Sequence, residues 1–343
     1  MYKIKVDSLK PGVILGKDIF TYDSQLLLNK GTEITKELLD SFMSRNITEV
    51  FIWEASTRQK TEKNFQDVFM SSLDVVKSFM LEAKLGKPLD AEEFNQTVDF
   101  LLEQVFDVND VFRQMRLMKE KDDYLFTHSV NVSLLAILIG RWLKCDQETI
   151  RTLGLAGLLH DIGKVFIDDA ILNKPGKLTD DEFEEMKKHT ILGYNLVSEY
   201  DWITDEVAKA ILLHHERADG SGYPMGITGN TNFLPSLPSV IAVADVYDAI
   251  TSNRIYSTKC SPYTAAELLW EESFGKLDPR ITKVFCDKIT NFYVGNEVIL
   301  SNGQRGIVIY VNATQPTRPT VMIEDDFINL MENRSLSIAE IID

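Results

Sequence analysis

The spacing of apolar residues changes along the chain and divides it into segments of different predicted structure. Near the N-terminus, Ile4 and Val6 alternate with polar residues, and turn and strand signals follow, so residues 1–55 are predicted to form a small α+β module. Across residues 56–117, Phe, Leu, Met and Val recur every three or four positions and Gly and Pro are rare. This spacing is typical of amphipathic helices. We therefore expect a helical connector here, and a homodimer contact through it.

The second half of the chain shows two further patterns. Residues 118–290 keep the helical spacing throughout, with apolar positions falling on one face of each predicted helix. Residues 291–343 alternate with a period of two, and Asn302-Gly303 between two apolar runs indicates a β-hairpin. The sequence thus predicts a mainly α protein. It has an all-helical core, a small N-terminal α+β module and a small C-terminal β-hairpin or barrel-like appendage.

Composition narrows the classes of function. The chain has 343 residues, a formal net charge of −16 and a pI of about 4.8. This charge argues against binding of long nucleic acids, which requires clustered Lys and Arg, but it allows a small anionic ligand in a locally positive pocket. The three cysteines, Cys145, Cys260 and Cys286, are widely spaced and form no CxxC pair, as in reduced cytoplasmic proteins. Neither a signal peptide nor a membrane-spanning segment is predicted, so we expect a cytoplasmic protein without membrane contact.

All five histidines fall between positions 128 and 215, a clustering that ordinary core or surface histidines would not show. They are His128, His160, His189, His214 and His215. His160 is followed by Asp161, and two of the histidines are adjacent. Imidazole and carboxylate together suit iron, manganese or zinc. Five imidazoles with two or three carboxylates exceed the needs of one tetrahedral zinc and suit two metals with open positions.

The order of these residues within their motifs resembles the HD-GYP family, a bacterial branch of the HD-domain metal-dependent phosphohydrolases. The matching segments are DDYLFTHSVNV, LLHDIGK, MKKHTILGYNLV, LLHHERADGSGYP and VADVYDAITSNRIY. They cover roughly residues 118–290, the expected catalytic domain, followed by a β subdomain at residues 291–343.

The resemblance implies a site with two metals. One metal would be bound by His128, His160, Asp161 and Asp245, and the other by Asp161, His189, His214 and His215. Asp161 would bridge the two. Iron or manganese is the expected metal, and zinc, cobalt and nickel are alternatives. Some family members bind a third metal through a glutamate at the position of Tyr124, so two metals are predicted here, although nearby Asp123 and Glu120 leave a weak third site open.

The resemblance also implies the chemistry and the residues that contact the substrate. A hydroxide bridging the two metals would attack a phosphodiester in line, with Asp161 as the central ligand. Lys164 would steady the phosphate or protonate the leaving oxygen. The predicted substrate contacts are Lys164, Gly222, Tyr223, Asp248, Arg254 and Tyr256. Asp248 also suits a role in orienting a ligand histidine. Around Tyr256, this chain has Ile255 and Ser257 where the family usually has Pro and a basic residue.

The resemblance therefore implies a cyclic dinucleotide phosphodiesterase. The family's usual substrate is cyclic di-GMP, which is opened to pGpG and in some members cleaved further to GMP. Three alternatives stay open. In the first, the substrate is cyclic GMP-AMP. In the second, the chain is a catalytically weak receptor for a cyclic dinucleotide. In the third, it hydrolyses a nucleotide monophosphate or another phosphoester, as other HD hydrolases do.

Overall fold

The structure is a computed structural model that describes most of the chain. The described residues are 2–6, 9, 11–17, 19–20, 26–28, 32, 34–44, 47–53, 58–105, 111–112, 114–115, 118, 124–227, 237–251, 261–324 and 326–342. The chain divides into two compact units. One is a helical unit of residues 62–259 and 269–285. The other is a mixed unit of residues 1–61, 260–268 and 286–343.

The helical unit is built from helices that follow one another along the chain. They are α2 (Arg58–Lys84), α3 (Ala91–Gln104), α4 (Tyr124–Trp142), α5 (Gln147–Leu159), a 3₁₀ helix (Ile162–Phe166), α6 (Asp169–Leu172), α7 (Asp180–Lys187), α8 (His189–Val197), α9 (Asp205–Leu213) and α10 (Leu237–Thr251). Two more helices, α11 (Pro262–Glu272) and α12 (Pro279–Phe292), are divided between the units. The predicted all-helical core is confirmed.

Helix α4 lies at the centre of this unit and packs against α5 and α10. By length and composition alone, Leu125–Trp142 would suffice to cross a membrane, but 78% of that window is buried inside the protein, as expected of a core helix. Gly157 of α5 allows a close approach to α4, since a Cβ there would lie 2.6 Å from the Cα of Ser133. The Ser133 hydroxyl donates to the Gly154 carbonyl at 2.7 Å across the same contact.

Polar caps fix where the helices of the core begin. Asp146 caps α5 by accepting the backbone N–H of Thr149 at 2.8 Å. Thr179 and Glu182 form a reciprocal capping box at the start of α7. The helical run predicted around position 189 consists of two helices, α7 and α8, because Lys188 separates them.

The mixed unit contains short strands and one complete helix. Its elements are β1 (Tyr2–Lys5), β2 (Ile14–Leu15), β3 (Ile19–Phe20), β4 (Leu26–Leu28), α1 (Lys36–Ser44), β5 (Glu49–Trp53), β6 (Glu297–Leu300), β7 (Arg305–Tyr310), β8 (Thr320–Ile323), β9 (Asp326–Asn329) and β10 (Ile338–Ile342). The C-terminal strands form one antiparallel sheet in the order β10-β6-β7-β8-β9. The predicted hairpin joins β6 to β7, and Gly303 adopts the positive φ of 86° that its turn requires.

The N-terminal and C-terminal strands belong to the same compact unit, and β4 contacts β7 within it. The division of the chain at residues 55, 117 and 290 stays a prediction. The two ends of the chain group together through packing such as that of β4 on β7, since their described strands pair only within separate sheets.

Candidate metal centre

The seven predicted metal ligands lie together in the helical unit as two groups. We call His128, His160 and Asp245 the first ligand group, and Asp161, His189, His214 and His215 the second ligand group. Within each group, one ligand atom from every residue lies within 4.8 Å of all the others. Both groups are largely buried.

Asp161 lies between the two groups, with one carboxylate oxygen toward each. Its Oδ2 is 3.3 Å from Nε2 of His160 and 3.7 Å from Nε2 of His128. Its Oδ1 is 3.4 Å from Nε2 of His189 and 3.9 Å from Nε2 of His214. A single buried carboxylate therefore faces ligands of both groups, which is the geometry that a bridging ligand needs.

Three of the histidines are oriented in the same way, by the last turn of a helix. In each, Nδ1 donates a hydrogen bond to the backbone carbonyl three residues earlier. These bonds are His160 to Gly157 at 2.8 Å, His189 to Met186 at 2.7 Å, and His214 to Ile211 at 2.8 Å. Carbonyls in the last turn of a helix have no partner within the helix, so the imidazole satisfies one of them. With Nδ1 protonated, the lone pair of Nε2 is directed into the cluster.

His128 is oriented by side chains instead. Its Nδ1 lies 2.8 Å from Oδ2 of Asp248, and Asn131 donates from Nδ2 to Oδ1 of the same carboxylate at 3.0 Å. On its other side, Nε2 lies 3.1 Å from Oδ1 of Asp245. Burial disfavours the charged imidazole, but the hydrogen bonds that it donates to the carboxylates of Asp245 and Asp248 outweigh this and raise the pKa of His128 well above its usual value.

The second ligand group has the opposite electrostatics. Burial lowers the pKa of His189 to about 4 and that of His215 to about 3, and it also lowers the pKa of His214 well below its usual value. Burial opposes ionisation of Asp161, yet His160 and Lys164 hold the pKa of its carboxyl well below the usual range. These residues are thus neutral imidazoles and an ionised carboxylate at neutral pH, the forms that bind metals.

The residues present fit a bound cation. Three buried atoms of the second ligand group have no hydrogen-bond partner in the described part of the chain: Oδ1 of Asp161, Nε2 of His189 and Nε2 of His214. A buried polar atom without a partner costs on the order of 1–3 kcal/mol. Three such atoms directed at one another are explained by a metal ion that accepts their lone pairs.

Two further predicted site residues lie at the edge of the cluster. The ammonium of Lys164 is 2.5 Å from Oδ2 of Asp161, and its side chain remains 21% exposed. The ring of Tyr223 lies 4.6 Å from that of His215 at an angle of 32°. Burial raises the pKa of Tyr223, so its hydroxyl keeps its proton at neutral pH.

The loop that carries Tyr223 is held by interactions that the sequence did not reveal. The carboxylate of Glu216 accepts the backbone N–H groups of Met225, Gly226 and Ile227 at 2.6, 3.2 and 3.0 Å. A Cβ at Gly222 would lie 2.5 Å from the Glu216 Cα. Gly222 is therefore required for the loop to pack on the chain's own backbone, a reason distinct from close approach to a ligand. The acidic residue directly after the histidine pair was the available signal for Glu216.

Not every predicted residue can be placed. Arg254 and Tyr256 lie outside the described residues, as do Asp123 and Glu120. The backbone of Tyr124 begins α4, four residues before His128. Asp248 is fully buried beneath His128, and Asn131, three residues after that histidine, is a partner that the sequence analysis missed.

Comparison with known proteins identifies the type of domain that contains this site. Residues 113–281 match the HD domain. A cyclic di-GMP phosphodiesterase of Pseudomonas aeruginosa is 36% identical over 250 residues, covering 72% of this chain and 59% of the relative. Residues 113–281 therefore carry an HD domain.

Two other matches concern the same HD domain. A 3′3′-cGAMP-specific phosphodiesterase of Vibrio cholerae is 34% identical over 183 residues, covering 50% of this chain and 40% of the relative. A solved structure from Bdellovibrio bacteriovorus, titled an HDG“Y”P protein, has a TM-score of 0.51 at 20% identity and covers 82% of this chain and 97% of that one. This structural match shows the fold. The chain aligns with less than two thirds of the length of the curated relatives named here.

Proposed function

We propose that this chain is a metal-dependent phosphodiesterase that hydrolyses a cyclic dinucleotide, with cyclic di-GMP as its substrate. The observation that carries the proposal is the position of Asp161, whose two oxygens face the two ligand groups. The name of the Pseudomonas relative supports the choice of substrate. The product would be pGpG, cleaved further to GMP.

The site would hold two divalent ions. One would be bound by His128, His160, Asp161 and Asp245, and the other by Asp161, His189, His214 and His215. Iron or manganese is proposed for both positions, with zinc, cobalt and nickel as the competitors to be compared. When bound, the ions would neutralise charge on the transferring phosphoryl group and activate water.

The residues of the chain contribute orientation, charge and a proton. Asp161, ionised and buried, fixes the separation of the two ligand groups. Lys164 would donate a hydrogen bond to a non-bridging phosphate oxygen. In the cleavage, a water oxygen bonds to phosphorus and the water releases one proton to solvent, while the bond from phosphorus to the ribose O3′ breaks and O3′ takes up a proton. The partly exposed ammonium of Lys164 is the proposed donor of that proton.

Substrate contacts extend outward from the ions. Tyr223 would present its ring and protonated hydroxyl to the ligand, positioned by the Gly222 loop. Arg254 and Tyr256 are proposed to bind a base or a phosphate, as predicted from the sequence. Asp248 is proposed to act through His128, because its carboxylate bonds the imidazole and is buried away from any ligand.

One alternative substrate has a specific observation in its favour. The relative from Vibrio cholerae is named as specific for 3′3′-cGAMP, so cyclic GMP-AMP is the second candidate. The cytoplasmic location and a homodimer through residues 56–117 also remain proposals, and light scattering on the purified chain would test the second.

The proposal is tested by anaerobic purification, metal analysis and turnover of cyclic di-GMP beside cyclic GMP-AMP, with iron or manganese added. About two metals per chain together with linear product would support the proposal and identify the preferred substrate. Two metals and tight binding with no product would favour a receptor. A chain that binds no metal would contradict the proposed site.

A further inference from the structure

Helix α7 presents an aromatic and cationic surface beside the second ligand group. We call Phe183, Lys187 and Tyr223 the aromatic platform. The rings of Phe183 and Tyr223 meet edge to face, with centroids 6.1 Å apart. The ammonium of Lys187 lies 5.0 Å from the Phe183 centroid and 5.7 Å from the Tyr223 centroid.

The platform is continuous with the metal centre. Tyr223 packs on His215 on one side, and its ring also lies 6.3 Å from that of His189. Phe183 and Lys187 also contact the Tyr223 ring. A ligand with one phosphate at the ions would therefore reach Phe183 and Lys187 across Tyr223.

The composition of α7 makes these two residues unusual. The helix starts with three acidic residues, and every one of its residues is at least partly exposed. On this acidic and solvated helix, Phe183 leaves 45% of its surface in contact with water. A single exposed phenylalanine needs no explanation, but one that shares a cation with a tyrosine at a candidate active site does.

The two neighbouring lysines of this segment differ in what they contact. Lys187 is 28% exposed, pairs with Glu184 at 2.6 Å, and lies over both rings. Lys188 is 57% exposed and pairs with Glu185. The two have the same charge and the same i,i+3 ion pair, so their difference in position identifies Lys187 as the one directed toward the site.

We propose that the aromatic platform is a subsite for the half of the cyclic dinucleotide that is not being cleaved. A nucleobase stacks on the exposed face of Phe183, and Lys187 exchanges its contact with Glu184 for the second phosphate. This assignment rests on the proposed function. Under this assignment, residues that bind no metal select the ligand. Phe183 can stack on any purine or pyrimidine, while Lys187 favours a ligand that is anionic.

The test compares Phe183→Leu and Lys187→Gln with matched controls. Phe100→Leu removes another exposed ring, on α3, and Lys188→Gln makes the same charge change one residue away. Each variant is assayed, as metal-loaded full chain, on cyclic di-GMP and on bis(p-nitrophenyl) phosphate, a diester that has neither a nucleobase nor a second phosphate.

Removal of one base–aromatic stack is expected to raise KM for cyclic di-GMP by about 5- to 150-fold in Phe183→Leu, with kcat little changed. Lys187→Gln should raise the same KM and weaken its dependence on salt. Neither should alter turnover of the small diester, and neither control should alter any of these values.

The outcomes separate the two levels of inference. If wild type hydrolyses cyclic di-GMP but Phe183→Leu and Lys187→Gln match their controls, the platform assignment is wrong and the proposed function stands. If wild type hydrolyses neither substrate, the proposed function fails. In that case, direct titration with cyclic di-GMP tests the platform assignment by itself. Weaker binding by both variants would support the assignment, and unchanged binding would overturn it.

Discussion

The two ligand groups are built from the same residue types but differ in how their inward atoms are satisfied. In the first ligand group, Nε2 of His128 lies 3.1 Å from Asp245 and 3.3 Å from Nε2 of His160, so the facing atoms have partners within the protein. In the second ligand group, three buried atoms have none among the described residues. The first group is therefore stabilised partly by its own contacts, whereas the second depends on a cation.

This difference indicates an order of affinity. A cation entering the second group satisfies three atoms that are otherwise unpaired, while a cation entering the first must replace existing contacts. We therefore expect the second ligand group to bind its metal more tightly. Chelators should remove metal from the first group before the second.

The largest effect is expected from Asp161→Ala, which removes the carboxylate that faces ligands of both groups. Metal content should fall from about two per chain to near zero, and turnover should fall by at least about 10³-fold. Metal analysis and product detection on the same sample check this. Asp99→Ala, a surface carboxylate paired with Arg151, is the matched control. A fully active, metal-loaded Asp161→Ala protein would refute the arrangement.

Changing one ligand in each group should separate them. His214→Ala and His128→Ala are each expected to leave about one metal per chain and to lower turnover by about 10²-fold or more. Under stepwise chelation, His128→Ala should keep its remaining metal at higher chelator concentration than His214→Ala does. Equal retention by the two variants would mean that the unpaired atoms do not set the order of affinity.

A smaller effect is expected from Asp248→Asn, which acts on the first group through His128. The amide can still accept from the imidazole, but its NH₂ then faces the NH₂ of Asn131. Metal affinity of the first group should fall by about 10- to 100-fold, with the second group unchanged. Metal titration of this variant beside Asp99→Asn checks the prediction, and weakening of both groups would contradict it.

The smallest effect is expected from Glu216→Gln, which touches neither group directly. One oxygen that accepts a backbone N–H from residues 225–227 becomes a donor, at a cost of about 1 kcal/mol or more. Since this loop holds Tyr223 on His215, KM for the substrate should rise about fivefold while metal content stays at the wild-type value. Glu206→Gln on the exposed side of α9 is the control, and loss of metal from Glu216→Gln would contradict this division of roles.

Much of this arrangement could be read from the sequence because it depends on local rules. Helical periodicity and caps such as Thr179 with Glu182 define the helices, and the order of the histidines indicates the metal site. The remaining features depend on contacts between distant residues. The bond from Asn131 to Asp248 joins α4 to α10, and the grouping of β4 with β7 joins the two ends of the chain.

Other features escaped the sequence because a residue type has several uses. Gly222 was interpreted as allowing a ligand to approach, but its missing side chain is needed by the backbone at Glu216. Glu216 and Phe183 were not singled out in the sequence, because only the fold shows which N–H groups or rings they contact. The break between α7 and α8 likewise falls within a run whose apolar spacing continues through it.

The carbonyl bonds that orient His160, His189 and His214 have an evolutionary consequence. Their acceptors belong to the backbone, so no substitution of a neighbouring side chain can delete them as long as the helices persist. The orientation of His128 instead relies on two mutable side chains, Asp248 and Asn131. Lineages of this domain that drift away from catalysis should therefore lose the His128 side of the site first, and the second ligand group should outlast it.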